Sequence, residues 1–171
     1  FKKRILTADE ITSNFETLMA NLPDNINIII TVSPVRHIKE SIELNSLSKS
    51  ILRVASHALA EKYKNAHYFP SYEIMMDDLR DYRFYKSDML HPNEDAVNYI
   101  WNKFQNAYFD DEALSFIKDW DKILNAINHK PFHPASVKHQ SFIRTTLNKL
   151  DEFSTLVDVS KERKHLESIL K

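Results

Sequence analysis

Glycine does not occur once in the 171 residues. Average usage near 7% would put about 12 in a chain of this length, so every motif that needs a positive φ or a missing Cβ is excluded. That removes the Walker A loop, the GxGxxG dinucleotide turn and the GxSxG nucleophile elbow. Cysteine is absent too, which rules out a disulfide framework and any thiolate-held metal, and agrees with a reducing, cytoplasmic location. No apolar run approaches the ~18 residues of a membrane span. Neither sign of charge is in excess: 23 Lys and Arg face 24 Asp and Glu, a net of −1 with no dense basic run. Nucleic acid is therefore not expected as a partner. What is present, 43% hydrophobic and 27% charged residues, suits one globular domain or a little more and is enough to bury a core.

Along the chain, Thr7 followed by Glu10 reads as a capping box, and Ile11, Phe15, Leu18 and Leu22 continue at helical spacing until Pro23. Residues 26–32 form a continuous β-branched run, read as a buried parallel strand that Ser33-Pro34 ends. A second helix is expected from about Asn45 to Lys64, with Leu47, Ile51, Val54, Ala55, Ala58 and Leu59 inward, and a short strand at 66–69 stops at Pro70. Helix, strand, helix, strand is an α/β rhythm, and a crossover helix makes the two strands parallel neighbours. Residues 76–87, dense in Asp, Arg and Tyr, read as a loop. Pro92 is placed to open the next helix, whose apolar face is Val97, Ile100, Trp101, Phe104 and Tyr108. From Asp110 the pattern is helical throughout, which divides the chain into an α/β part at 1–109 and a helical extension at 110–171. Open α/β sheets usually carry about five strands, so two imply that the α/β part belongs to a larger domain.

Two stretches carry candidate chemistry. In Asp88-Met89-Leu90-His91-Pro92, a carboxylate three residues before an imidazole can accept from one ring nitrogen while the other faces a nucleophile. Spacing alone is weak: 13 Asp and 8 His produce about one such pair by chance, and the bland reading is a polar helix start. The second stretch, Thr31-Val32-Ser33-Pro34-Val35-Arg36-His37, lies at the carboxyl end of the first strand, where open α/β sheets place ligands. Arg36 suits an anionic or polar substrate group and His37 a hydrogen bond to it. Ser33 lacks a glycine elbow and precedes a proline, so it is a poor nucleophile. His129, His133 and His139 are interrupted by Pro131 and Pro134 and do not form a ligand set; no metal is expected. Asp77, Asp78 and Asp81 lack the glycine and terminal Glu of a calcium loop. Phe104, Tyr108, Phe116 and Trp120 sit at helical spacing and read as core.

Taken together and in order, 31–37, Asn45-Ser46-Leu47-Ser48-Lys49-Ser50-Ile51-Leu52, Tyr68-Phe69-Pro70-Ser71-Tyr72-Glu73-Ile74 and 88–92 resemble the GSCFA domain family of bacterial proteins, distant relatives of the SGNH (GDSL-type) hydrolases. The likeness covers 26–109, and His129-Lys130-Pro131-Phe132 resembles a further patch. It implies a flavodoxin-like three-layer α/β/α sandwich in which a serine attacks an ester carbonyl, with His91 as general base, Asp88 as its orienting partner and no cofactor. Ser33, Arg36, His37 and Asn45 would line the substrate side. The family's Gly-Ser-Cys-Phe-Ala stretch, where its nucleophile is expected, does not occur here. The chain is thus expected to be the C-terminal portion of an esterase acting on a small-molecule, lipid or sugar ester, inactive by itself. The alternative is a non-catalytic module of the same fold that binds a carbohydrate or acyl ligand. The helical tail is a candidate for self-association.

Overall fold

A computed structural model describes residues 4–23, 25–39 and 41–170. The chain divides into two compact units, Phe1–Ala107 and Tyr108–Lys171. Their elements are mostly helical with one small parallel sheet, a mixed α/β architecture ending in helices. Among the described residues, no helix is long and apolar enough to cross a membrane.

The first unit opens with α1 (Ala8–Met19), whose start is fixed by the expected capping box: Thr7 Oγ1 accepts from Glu10 N, and the Glu10 carboxylate accepts from Thr7 N. Strand β1 (Ile28–Ile30) follows, then α2 (Ile42–Lys62) and β2 (Ala66–Tyr68). The strands pair in parallel with Ile28 opposite Ala66, Ile29 opposite His67 and Ile30 opposite Tyr68. β1 is shorter than the expected 26–32 because a strand extends only as far as its partner, and β2 has three residues. Ile29 is exposed rather than buried, since among the described residues β1 pairs only with β2.

Helix α2 begins at Ile42, earlier than expected, because Ser41 caps it by accepting from Leu44 N. Its buried face also differs from the expected one. Ala55 and Leu59 are buried, but so are Lys49 and Ser56, whereas Leu47, Val54 and Ala58 are exposed. At 3.6 residues per turn, Lys49 and Ser56 fall on one side of the Ala55–Leu59 line and Leu47 and Val54 on the other. Hydrophobicity alone picked the wrong side.

The polar segment after β2 is more ordered than a loop. A short α3 (Ser71–Glu73) runs into a π-helical turn at Ile74–Asp78, and a 3₁₀ turn occupies Tyr82–Phe84. Met75 and Leu79 from this segment bury against Ala96, with Phe84, Tyr85 and Ile100 packed around them. Helix α4 (Glu94–Tyr108) starts one residue after Asn93, whose Oδ1 accepts from Ala96 N at 3.1 Å. Asn93, not Pro92, is the residue that caps it.

The second unit contains α5 (Asp111–Asn128), α6 (Val137–Phe153) and α7 (Ser160–Ile169). Ile123, Ile143, Leu150, Val159 and Leu166 form its core, with Trp120, Leu147 and Phe153 packed against them. Leu150 is 0% exposed. Replacing it with Ala removes buried methyls and leaves a cavity, so Leu150→Ala is expected to destabilise this unit by about 2–5 kcal/mol, read from chemical denaturation. A loss below about 1 kcal/mol would contradict the packing described.

Candidate active site

The segment between the 3₁₀ turn and α4 folds back on itself. Lys86 N donates to His91 O at 2.8 Å, Asn93 N donates to Phe84 O at 2.9 Å, and Tyr85 and Pro92 form an antiparallel bridge. Closing so tight a loop requires a left-handed residue. In a chain with no glycine that residue is Met89, at φ 58°, the only positive φ among the described residues. A side chain with a Cβ pays roughly 1–2 kcal/mol there, so surrounding bonds must hold it. Arg36 supplies two: its backbone N donates to Leu90 O at 3.1 Å, and its Nη1 donates to Met89 O at 3.1 Å.

The turn brings Asp88 and His91 together. One carboxylate oxygen, Oδ1, accepts from Leu90 N at 2.9 Å and from His91 N at 3.0 Å. The other, Oδ2, lies 2.6 Å from His91 Nδ1. Because an ionised carboxylate can only accept, Nδ1 carries the proton and donates. His91 Nε2 is then the basic nitrogen, and it makes no hydrogen bond within the described residues.

These donors hold the Asp88 carboxyl down at about 2, from an ordinary 3.8, the backbone N–H of His91 contributing most, then that of Leu90, then the imidazole. A carboxyl depressed in the folded state stabilises the fold fully above its unfolded value and loses that contribution as pH falls through the folded one. The loop is therefore expected to keep its Asp88 contacts down to about pH 4 and release them as the pH nears 2. The amide NMR shifts of Leu90 and His91 in an acid titration check this, and a midpoint at 3.8 or above would count against it.

The other sequence candidates converge from β1 and α2. Asn45, one turn inside α2, reaches back so that its Oδ1 accepts from His37 N at 2.8 Å, which pins the β1–α2 connection to the helix. Arg36, His37, Asn45 and His91 line one cleft of about 600 Å³, its apolar wall including Leu6, Ile51 and Leu90. That volume falls within the range of small-molecule sites. Asp88 stands behind His91 and is not part of the lining. Ser33 is not in this cleft. Its Oγ accepts from Val35 N at 3.2 Å and serves the turn, and it lines an adjoining pocket of about 380 Å³.

Sequence reasoning passed over several residues here. Lys49, buried on α2, donates to the Ser33 carbonyl at 2.5 Å. Its spacing four residues after Asn45 puts both on one helix face, and that spacing was the available signal. At the end of β1, Ser71 Oγ donates to Val32 O at 2.9 Å. Arg53, Tyr68 and Glu73 form a half-buried cluster, with Arg53 Nε 2.9 Å and Tyr68 OH 2.9 Å from the Glu73 carboxylate. Burial, then the Glu73 contact, pushes the Tyr68 hydroxyl well above its ordinary value.

Among the described residues, no three His, Asp or Glu side chains gather as a metal site. The His129 and His139 rings are 6.4 Å apart within the second unit.

Comparison with known proteins gives two matches in tandem. Residues 1–104 match the family model described as "GSCFA family", and residues 120–171 match "GSCFA domain protein, C-terminal domain". No curated protein and no solved structure matches the chain.

Proposed function

Since the chain belongs to the GSCFA family, we propose that it supplies the acid–base half of a serine ester hydrolase. The observation that carries this reading is the Asp88–His91 pair: a 2.6 Å contact to Nδ1, a second carboxylate oxygen held by two backbone N–H groups, and Nε2 left for a substrate-side hydroxyl. His91 Nε2 takes the proton of the attacking serine and returns it to the leaving alcohol. Asp88 keeps the tautomer and stabilises the imidazolium. The serine then carries the acyl group until water, activated by the same nitrogen, releases it. Arg36, His37 and Asn45 bind the ester in the 600 Å³ cleft, while Ser33 acts on the substrate through the neighbouring pocket it lines.

The nucleophile and its oxyanion donors are assigned to residues outside this sequence, because these 171 residues contain no Gly-Ser-Cys-Phe-Ala stretch. By the same reasoning β1 and β2 belong to a flavodoxin-like α/β/α sandwich. The parallel pairing and the 21-residue crossover helix support that assignment.

One observation favours a second reading, a module of this fold that binds a carbohydrate or acyl ligand without turnover: no hydroxyl among the described residues hydrogen-bonds His91 Nε2. A fluorophosphonate probe on the full-length protein separates the two. Labelling that His91→Ala abolishes is expected for the hydrolase. Absence of labelling in the wild type supports the binding module, and labelling that persists in His91→Ala removes His91 as the base.

A further inference from the structure

Lys49 is only 4% exposed, yet among the described residues its ammonium faces no carboxylate. Nζ donates to the Ser33 carbonyl and lies 5.9 Å from the centre of the Tyr72 ring. An ammonium has three N–H donors, and these contacts occupy one of them. The others are available to whatever enters the 380 Å³ pocket that Lys49 lines. Burial lowers its pKa, as expected for a charge taken out of water without a counter-ion. Among the described residues, the lining holds no Asp, Glu or Arg and no second Lys; its other polar groups are the hydroxyls of Thr31, Ser33, Ser48 and Ser56, the Asn45 amide and the His37 imidazole.

Charge and size narrow the ligand. Lys49 is the only Lys or Arg of the described lining; one buried ammonium neutralises one negative charge, and a second would stay desolvated and unpaired. This favours a monoanion over a phosphate dianion. At roughly 30 Å³ per water, the pocket holds a group larger than a bare carboxylate, and its Phe15, Leu52 and Leu59 surfaces suit hydrocarbon.

We propose that the pocket around Lys49 binds a carboxylate carried on a short apolar chain, the ammonium holding the oxygens and Phe15, Leu52 and Leu59 covering the chain. His37, Asn45 and Ser48 line both this pocket and the cleft beside His91, so the two compartments adjoin. The ester held in the cleft then bears an acidic substituent that reaches Lys49. This last step rests on the ester-hydrolase reading, whereas carboxylate binding at Lys49 does not.

Thermal unfolding of the full chain tests it with sodium butyrate, neutral butyramide, inorganic phosphate and sodium chloride at matched ionic strength. Butyrate is expected to raise Tm saturably, by about 3 °C at roughly tenfold its Kd, while butyramide and chloride leave Tm unchanged. Lys49→Met loses the butyrate shift and Lys49→Arg keeps part of it. His91→Ala keeps all of it, so failure of the catalytic reading and failure of this one are told apart. Equal shifts with butyrate and butyramide, a larger shift with phosphate than with butyrate, or a butyrate shift that survives in Lys49→Met overturns the proposal. The comparison of butyrate with butyramide uses only the wild-type chain and stands even where Lys49→Met does not fold.

Discussion

Replacing His91 with Ala in the full-length protein is expected to lower kcat for a simple ester such as p-nitrophenyl acetate by on the order of 10⁴. The size of the effect follows from what Nε2 is proposed to do. Without it, the serine loses the base this reading assigns to it, and the alkoxide must form against its own high pKa. KM should change far less, because Arg36, His37 and Asn45, the residues assigned to ester binding in the cleft, remain. His91 side-chain removal also leaves the backbone bonds from Lys86 N to His91 O and from His91 N to Asp88 in place, so the loop should persist. Stopped-flow or steady-state assays with the purified variant check both parameters. A loss below about tenfold would mean that another base serves the reaction.

Asp88→Asn is expected to lower kcat by a similar factor, on the order of 10⁴, for a different reason. Asn keeps an oxygen that can accept from Leu90 N and His91 N, as Asp88 Oδ1 does. Its amide NH₂ then faces His91 Nδ1. Two donors cannot share that contact, so Nδ1 becomes the acceptor and the proton moves to Nε2, where the base should be. The loop therefore stays folded while the imidazole is held in the wrong tautomer. Ring ¹⁵N shifts of His91 report the tautomer directly, and the Leu90 and His91 amide shifts report the loop. An unchanged tautomer would exclude Asp88 as the orienting group, and full activity with the tautomer reversed would exclude the tautomer as the basis of its role. Loss of the amide pattern would trace the defect to folding.

How far these features could be read in advance depends on how local their causes are. The Thr7–Glu10 capping box spans three residues and appears as the sequence predicts. The parallel relation of the two strands follows from the crossover helix between them and was equally legible. The contact between Asp88 and His91 also lies within one turn of chain, although spacing alone could not distinguish it from chance. Strand length was not legible, because β1 ends where β2 ceases to pair. The buried side of α2 was not legible either: it is set by where the Ser33 carbonyl lies relative to Lys49, a matter of tertiary placement that outweighs the hydrophobicity of Leu47 and Val54. The π-helical turn at Ile74–Asp78 was not legible, since its last three residues fall in the run read as a loop from 76 and its one buried side chain, Met75, lies just before that run.

The left-handed turn at Met89 bears on how this loop could be moved to another protein. A glycine would adopt that conformation unaided, so the loop would be portable. Methionine does not, and here Arg36, over fifty residues earlier in the chain, bonds the carbonyls of Met89 and Leu90. The Asp-x-x-His segment is therefore not a self-contained cassette. Grafted alone it would splay open, and a designer would need either to transplant Arg36 with it in register or to write glycine at position 89.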